Sequence, residues 1–402
     1  MQRGKSGKIL LFFSILTFLL GGCGKVMEEI EQSLPEVVKP MMDNEEAEVD
    51  KYSICYEADT PCIFAYSRLS QEEQLWYEDI NRLLAYRMDE AVTLSPEGLE
   101  QGLTQDDIDK IYNCVMMDHP EYFFVEGYEY TIFTHGEKVV GIEMNGTYGY
   151  SAEECKMRLQ ELELAAEQIV NNAPVNGEEY EKIRYIYETI ILQTDYDLKA
   201  PDNQNIYSVL IGKSSVCQGY AKATQYLLNQ LGIESSVVFG HVGDGEYHSW
   251  NIVKCNGKYY HMDTTWGDAS YTMNGEMLNE VEAPEINYDY LCITTEQIEQ
   301  THAIKDVVEL PECDSIEDNY YVREGKYFCS FDEAQLEREF KEAFENGENV
   351  VTIKCDVKEI YDIFYEELIN NQQIFSYLPE EYESISFIDD EEQLTLSFWV
   401  TK

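Results

Sequence analysis

The 402-residue chain carries 78 acidic against 28 basic side chains, a formal charge of -50, which repels phosphate backbones and anionic headgroups and argues against nucleic-acid binding. Its 44% hydrophobic and 13% aromatic content is too rich for a disordered acidic chain, so the Tyr, Phe and Trp side chains must pack in cores. At this length two or three globular units plus a tether are expected.

Arg3, Lys5 and Lys8 precede an apolar run over residues 9–20 that ends at Gly21-Gly22-Cys23. The run is too short to span a bilayer as a helix, so residues 1–23 read as an export signal. Its Leu20-Gly21-Gly22-Cys23 end resembles a bacterial lipobox. That resemblance implies a lipidated Cys23 and a protein held on the extracellular face of the cell membrane, with membrane contact through the anchor alone; plain secretion is the alternative. Residues 24–51 are rich in Glu and Asp, contain Pro35 and Pro40 and lack any aromatic side chain. They read as a flexible acidic stalk, an amphipathic helix over 26–34 being the competing reading.

Over 52–150 the pattern predicts an α+β unit, with helices at 71–88 and 105–117 and strands at 122–134 and 138–150. Asp118-His119-Pro120-Glu121 reads as a helix-ending turn, and His119 is assigned no catalytic role. A central domain is expected over 151–318. Ser151 with Glu154 forms a capping-box pattern, and a related polar cap lies at 176–179, so two helices should run to Asn171 and Gln193. Beyond these, Tyr288-Asp289-Tyr290-Leu291-Cys292-Ile293 reads as a strand. Residues 319–402 suggest a separate βαβαββ domain with helices near 332–345 and 357–370.

Ser214-Ser215-Val216-Cys217-Gln218-Gly219-Tyr220-Ala221 leads into apolar residues at helical spacing. Cys217 therefore falls in a first helical turn, with Ser215 and Gln218 as a capping box, where the positive end of the helix favours a thiolate. Alone, such a cysteine would be a buried structural residue. Downstream, Asn256-Gly257 predicts a two-residue hairpin turn between strands at 248–255 and 258–265. Pairing Cys255 with Lys258 places Ile252 opposite His261, Trp250 opposite Asp263 and His248 opposite Thr265. His248 and Asp263 then share one face as diagonal neighbours, provided the ladder is uninterrupted. A nucleophile, a base and an orienting carboxylate are the parts thiol catalysis needs.

Tyr207-Ser208-Val209-Leu210 through Cys217-Gln218-Gly219-Tyr220-Ala221, His248-Ser249-Trp250-Asn251 and Asp263-Thr264-Thr265-Trp266 together resemble the bacterial transglutaminase-like superfamily over roughly 175–270. The resemblance implies an α+β fold with a papain-like core, Cys217 as nucleophile, His248 as general base and acid, and Asp263 as the orienting carboxylate. It implies no cofactor. A metal site built from His241, His261, His248 and Asp263 is the weaker reading. His241 is placed in a Gly-rich surface loop, and His261, Trp250 and Trp266 in packing roles.

Setting aside Cys23 and Cys217 leaves nine of 11 cysteines, an odd number without a CxxC pair, so neither a disulfide framework nor a structural zinc site is indicated. The expected substrates are extracellular proteins or peptides. Water or an amine can complete the reaction, and a non-catalytic peptide-binding module is the alternative class.

Overall fold

The computed structural model describes residues 8, 9, 63–268, 285–305, 307–348, 350–379, 382 and 384–399. Cys23 and the acidic 24–51 stretch lie outside them, as does the leader-like segment apart from Lys8 and Ile9. No helix among the described residues is long and apolar enough to cross a membrane. The chain divides into two compact units, Met1–Glu161 and Leu162–Lys402.

In the first unit α1 (Gln71–Ala85) opens on a reciprocal capping box: Ser70 Oγ accepts from the Glu73 N–H, and the Glu73 carboxylate accepts from the Ser70 N–H. Trp76, Ile80, Leu83 and Leu84 recur at helical spacing and are buried. Helix α2 (Ile108–Asp118) buries Ile108, Ile111 and Val115 in the same way. Its end is the turn expected from the sequence. Asp118 accepts from the N–H groups of Ala65 and Tyr66 and from the Tyr77 hydroxyl, while His119 Nδ1 meets Glu121 Oε1 at 2.8 Å and the ring stacks on Tyr122. Strands β1 (Val125–His135) and β2 (Lys138–Tyr148) follow as an antiparallel pair.

Helix α3 (Ala152–Asn172), in which the division between units falls, starts on the Ser151–Glu154 box. Helix α4 (Glu179–Gln193) begins one turn further along than 176, where the Glu181 carboxylate accepts from the Glu178 N–H at 3.0 Å. Helix α5 (Cys217–Gln230) precedes β3 (Ser235–Val242), β4 (Glu246–Cys255) and β5 (Lys258–Met262). With β6 (His302–Ile304) these strands form an antiparallel sheet ordered β6-β3-β4-β5.

The β4–β5 turn has positive φ at both Asn256 (50°) and Gly257 (82°), as a type I′ hairpin requires. Ladder pairs run from Cys255 with Lys258 to Asn251 with Met262. There the ladder stops, so neither Trp250–Asp263 nor His248–Thr265 is a strand pair. The cause is local: Asp263 Oδ1 accepts from the backbone N–H groups of Thr265 and Trp266 at 2.8 and 3.1 Å, and the Gly267 N–H returns to the Asp263 carbonyl. Aspartate pulls its own chain into a turn.

Residues 288–293 are not the strand their composition suggests. Asn287 Oδ1 accepts from the Asp289 N–H and starts a 3₁₀ turn over Tyr288–Tyr290, and Cys292 sits at φ 57°, so extension is broken at both ends. Ile293 bridges back to His261, and the Tyr290 carbonyl accepts from the Asp263 N–H at 3.0 Å.

The C-terminal part of the second unit runs β7 (Tyr327–Phe328), α6 (Glu333–Glu345), β8 (Val350–Cys355), α7 (Lys358–Tyr365), β9 (Ser386–Asp390) and β10 (Thr395–Trp399), with sheet order β7-β8-β10-β9. Phe328, Phe340, Ile353, Phe364, Leu396 and Phe398 form its core. Lys354 lies wholly inside, donating to the Gln393 carbonyl at 2.6 Å, and the Thr395 hydroxyl donates to buried Asp289 at 2.9 Å. The architecture as a whole is α+β.

Candidate active site

Cys217 is the first residue of α5, and Val216 rather than Ser215 precedes it as the N-cap, without a side-chain cap. The predicted Ser215–Gln218 box does not form. Ser215 is buried and spends its hydroxyl on the Asn203 carbonyl and on Ser208 Oγ, both at 2.7 Å. This clasp holds the preceding chain close to the helix: a Cβ on Gly219 would lie 2.0 Å from Ser215 Oγ and 3.1 Å from the Asn205 carbonyl oxygen. Glycine permits that approach. Along α5 only Cys217, Gln218, Lys222 and Gln230 escape full burial, so the nucleophile candidate opens an accessible strip on an otherwise enclosed helix.

His248 projects from β4, paired with Gly240 of β3. Its Nε2 lies 2.6 Å from Asp263 Oδ2, and both side chains are almost entirely buried. Burial opposes a charged imidazole, yet Asp263, followed by Cys217, outweighs it and pushes the His248 pKa up to about 10. Burial also disfavours an ionised Asp263, and the two facing histidines overcome this, holding the carboxyl well below its usual range. An ionised carboxylate only accepts, so Nε2 carries the proton shared with Asp263, and Nδ1 is the ring nitrogen not committed to that contact.

A third side chain, absent from the sequence reading, joins this group. His302 of β6 places Nε2 3.0 Å from the same Asp263 Oδ2. The donor atoms of His248, Asp263 and His302 lie within 4.8 Å of one another, a spacing that invites a metal reading. Two ligands of one tetrahedral zinc stand about 3.3 Å apart at ordinary Zn–N and Zn–O lengths. The 2.6 Å His248–Asp263 separation is shorter and suits a shared proton.

The remaining sequence candidates separate. His261 is buried, accepting from the Trp250 indole at Nδ1 (3.1 Å) with Nε2 on the Thr295 hydroxyl (3.2 Å); burial, then His302, lower its pKa to about 3. His241 lies within strand β3 rather than in a loop, against exposed Tyr247, because the turn is confined to the residues after Val242. Trp250 is core. Trp266 stands edge-on to His248 at 6.3 Å, and its indole N–H is buried with no hydrogen-bond partner among the described residues.

Residues 165–264 match the model of the Transglutaminase-like superfamily. This segment is a transglutaminase-like core. Solved structures similar to the chain include a TGase (14% identity, TM-score 0.25, 34% of this chain and 50% of that one). Others are a candidate cysteine protease from Cytophaga hutchinsonii (12%, 0.23, 34% and 61%) and the periplasmic domain of TgpA from Pseudomonas aeruginosa (15%, 0.23, 36% and 58%). The chain thus spans less than two thirds of the length of each of these structures. No curated protein matches it. The transglutaminase-like match contains Cys217, His248 and Asp263 and stops one residue after Asp263; His302 lies beyond it.

Proposed function

We propose that the chain is a thiol acyl-transfer enzyme acting on carboxamide or peptide bonds of extracellular proteins or peptides, with Cys217, His248 and Asp263 as its catalytic residues. The observation that carries this reading is the buried His248–Asp263 hydrogen bond of 2.6 Å, which commits one imidazole nitrogen and leaves the other to Cys217. Lipidation at Cys23 would place the enzyme on the outer face of a cell membrane.

The Cys217 sulfur attacks the carbonyl carbon, and His248 passes the former thiol proton to the departing amine as the C–N bond breaks, leaving a thioester. An incoming water or amine then gives its proton to His248 and attacks the thioester carbon. The C–S bond breaks, and the proton returns to sulfur. Asp263 stays ionised and holds the imidazole in one tautomer. Backbone N–H groups at the start of α5 supply one contact for the transient oxyanion.

Mass analysis of a Gln-containing peptide library, incubated with and without a primary amine, tests the proposal. Cleavage, a one-dalton deamidation or an amine adduct, each lost in Cys217→Ala, supports it and identifies the acceptor. Unchanged peptides, together with a Cys217 no more reactive to iodoacetamide than a free thiol, would overturn it in favour of a peptide-binding role.

A further inference from the structure

His302 sits where no motif announces it, on a strand outside the family-matched segment, yet its contacts converge on the centre of the site. Oδ1 of Asp263 is held by the Thr265 and Trp266 backbone N–H groups, and Oδ2 by His248 and His302. With His302 present, both carboxylate oxygens are anchored twice. Without it, Oδ2 would be tied to His248 alone, and the carboxylate would be held less firmly about its last torsion.

The ring itself is fixed from every side. His302 Nδ1 lies 2.7 Å from the Thr301 hydroxyl, and Nε2 faces the ionised Asp263 carboxylate, which only accepts, so Nε2 carries the proton offered to Asp263. Trp266, Trp250, His248 and Tyr290 surround the ring at centroid distances of 4.8, 5.0, 5.2 and 5.8 Å. Strand β6 is seated by pairing His302 with Val242 and Ile304 with Gly240. A Cβ at Gly240 would come within 2.3 Å of the Ala303 carbonyl oxygen and 2.5 Å of the Trp250 ring, so this glycine lets β6 approach closely enough to deliver the histidine.

We propose that His302 is a positioning residue: its Nε2–H locks the Asp263 carboxylate in the orientation that serves His248, so that the site is completed by a strand beyond the transglutaminase-like match. This rests on the thiol-enzyme reading only for its effect on Cys217. The hold on His248 can be measured independently of it.

The test uses the full chain and compares wild type, His302→Gln, whose amide Nε2 can replace the donor, His302→Leu, which keeps bulk but not the donor, and Thr301→Val, which removes the hydroxyl that faces Nδ1. Two readouts are taken against pH: the ring resonances of His248 by NMR and the rate of Cys217 alkylation by iodoacetamide. Other titratable groups facing the pair are Cys217 from α5, His261 from β5, Tyr187 from α4 and Tyr290 from the 288–290 turn; they are common to all four proteins.

In His302→Leu the alkaline midpoint of His248 should fall by about one pH unit or more, because its anchoring anion is loosened. Thr301→Val should move it the same way by less, and His302→Gln should keep it near wild type. Thr301→Val leaves the buried rings in place and keeps the question answerable if His302→Leu fails to fold. A midpoint unchanged or raised in His302→Leu, or in Thr301→Val if the former is unfolded, would overturn the proposal, as would a His302→Gln midpoint as low as that of His302→Leu. An ordinary, unreactive Cys217 in wild type would instead sink the enzyme reading while leaving the NMR comparison decisive for His302.

Discussion

His248 and Asp263 meet at 2.6 Å although the strand ladder that would carry them together ends at Met262. The turn made by Asp263 brings its carboxylate back under His248, with Oδ1 tied to the turn and Oδ2 presented to the ring. Asp263→Asn keeps an acceptor for the turn but offers an N–H₂ group to two imidazole N–H donors. Cys217 alkylation should fall, by up to about the 10⁴-fold by which turnover drops when an orienting carboxylate is neutralised. Iodoacetamide kinetics measure the loss, and an unchanged far-ultraviolet circular dichroism spectrum would show that the fold survives.

Two of the buried histidines of the sheet, His248 and His261, should give stability opposite dependences on pH. The pKa of His248 is raised in the folded state to about 10 from 6.5, so its contribution is complete below 6.5 and disappears as pH rises through about 10. The pKa of His261 is lowered to about 3; its contribution is complete above 6.5 and disappears as pH falls through about 3, when protonation of Nδ1 would break the bond to Trp250. Urea titrations should show the stability gap between wild type and His248→Gln narrowing from pH 7 to 10. The gap to His261→Gln should narrow from pH 6.5 towards 3.

Gly219→Ala should be costly despite the helix propensity of alanine. Its Cβ would meet Ser215 Oγ at 2.0 Å, and that hydroxyl is already held by Asn203 and Ser208. Overpacking of this kind costs about 1–3 kcal/mol, and the displaced turn carries Cys217. A fall in the urea midpoint with slower alkylation is expected; Gln230→Ala, on the same helix away from the clasp, should change neither.

Lys354→Met tests the interior of the C-terminal part. The Lys354 ammonium is the main cationic influence on buried Asp289, and burial raises the Asp289 pKa while depressing that of Lys354. Removing the Lys354 charge leaves the buried Asp289 carboxylate without this influence, so the urea midpoint should fall. Adding Asp289→Asn should recover part of that loss, so the double variant should have a higher urea midpoint than Lys354→Met alone.

Much of this architecture is visible in local pattern. Asn256-Gly257 fixes a hairpin because few other dipeptides take positive φ twice, and the pairing counted from it matches the ladder as far as Met262. Helices α1 and α2 show their apolar spacing, and α3 its cap. The departures arise where a polar side chain takes a hydrogen-bond partner that the pattern does not show: Asp263 ends β5 early, Asn287 turns the chain before 288–290, and Ser215 abandons the helix cap for a buried clasp. His302 is a different case. It reaches Asp263 through strand pairing between β6 and β3, across a sequence separation over which no periodicity or motif carries information.

The burial of the sulfur atoms has a practical outcome. Among the described cysteines, Cys114, Cys155, Cys255, Cys292, Cys313 and Cys355 are sealed inside the folded units, while Cys217 is partly accessible and Cys329 exposed. Burial pushes the six sealed thiols up, to about 12 for Cys114, Cys313 and Cys355, so they are slow to react on grounds of access and of charge alike. Each sealed thiol therefore serves as a built-in clock for the opening of its own neighbourhood. Cys114 and Cys155 time the first unit, Cys255, Cys292 and Cys313 the surroundings of the central sheet, and Cys355 the C-terminal sheet, with no label added to the chain.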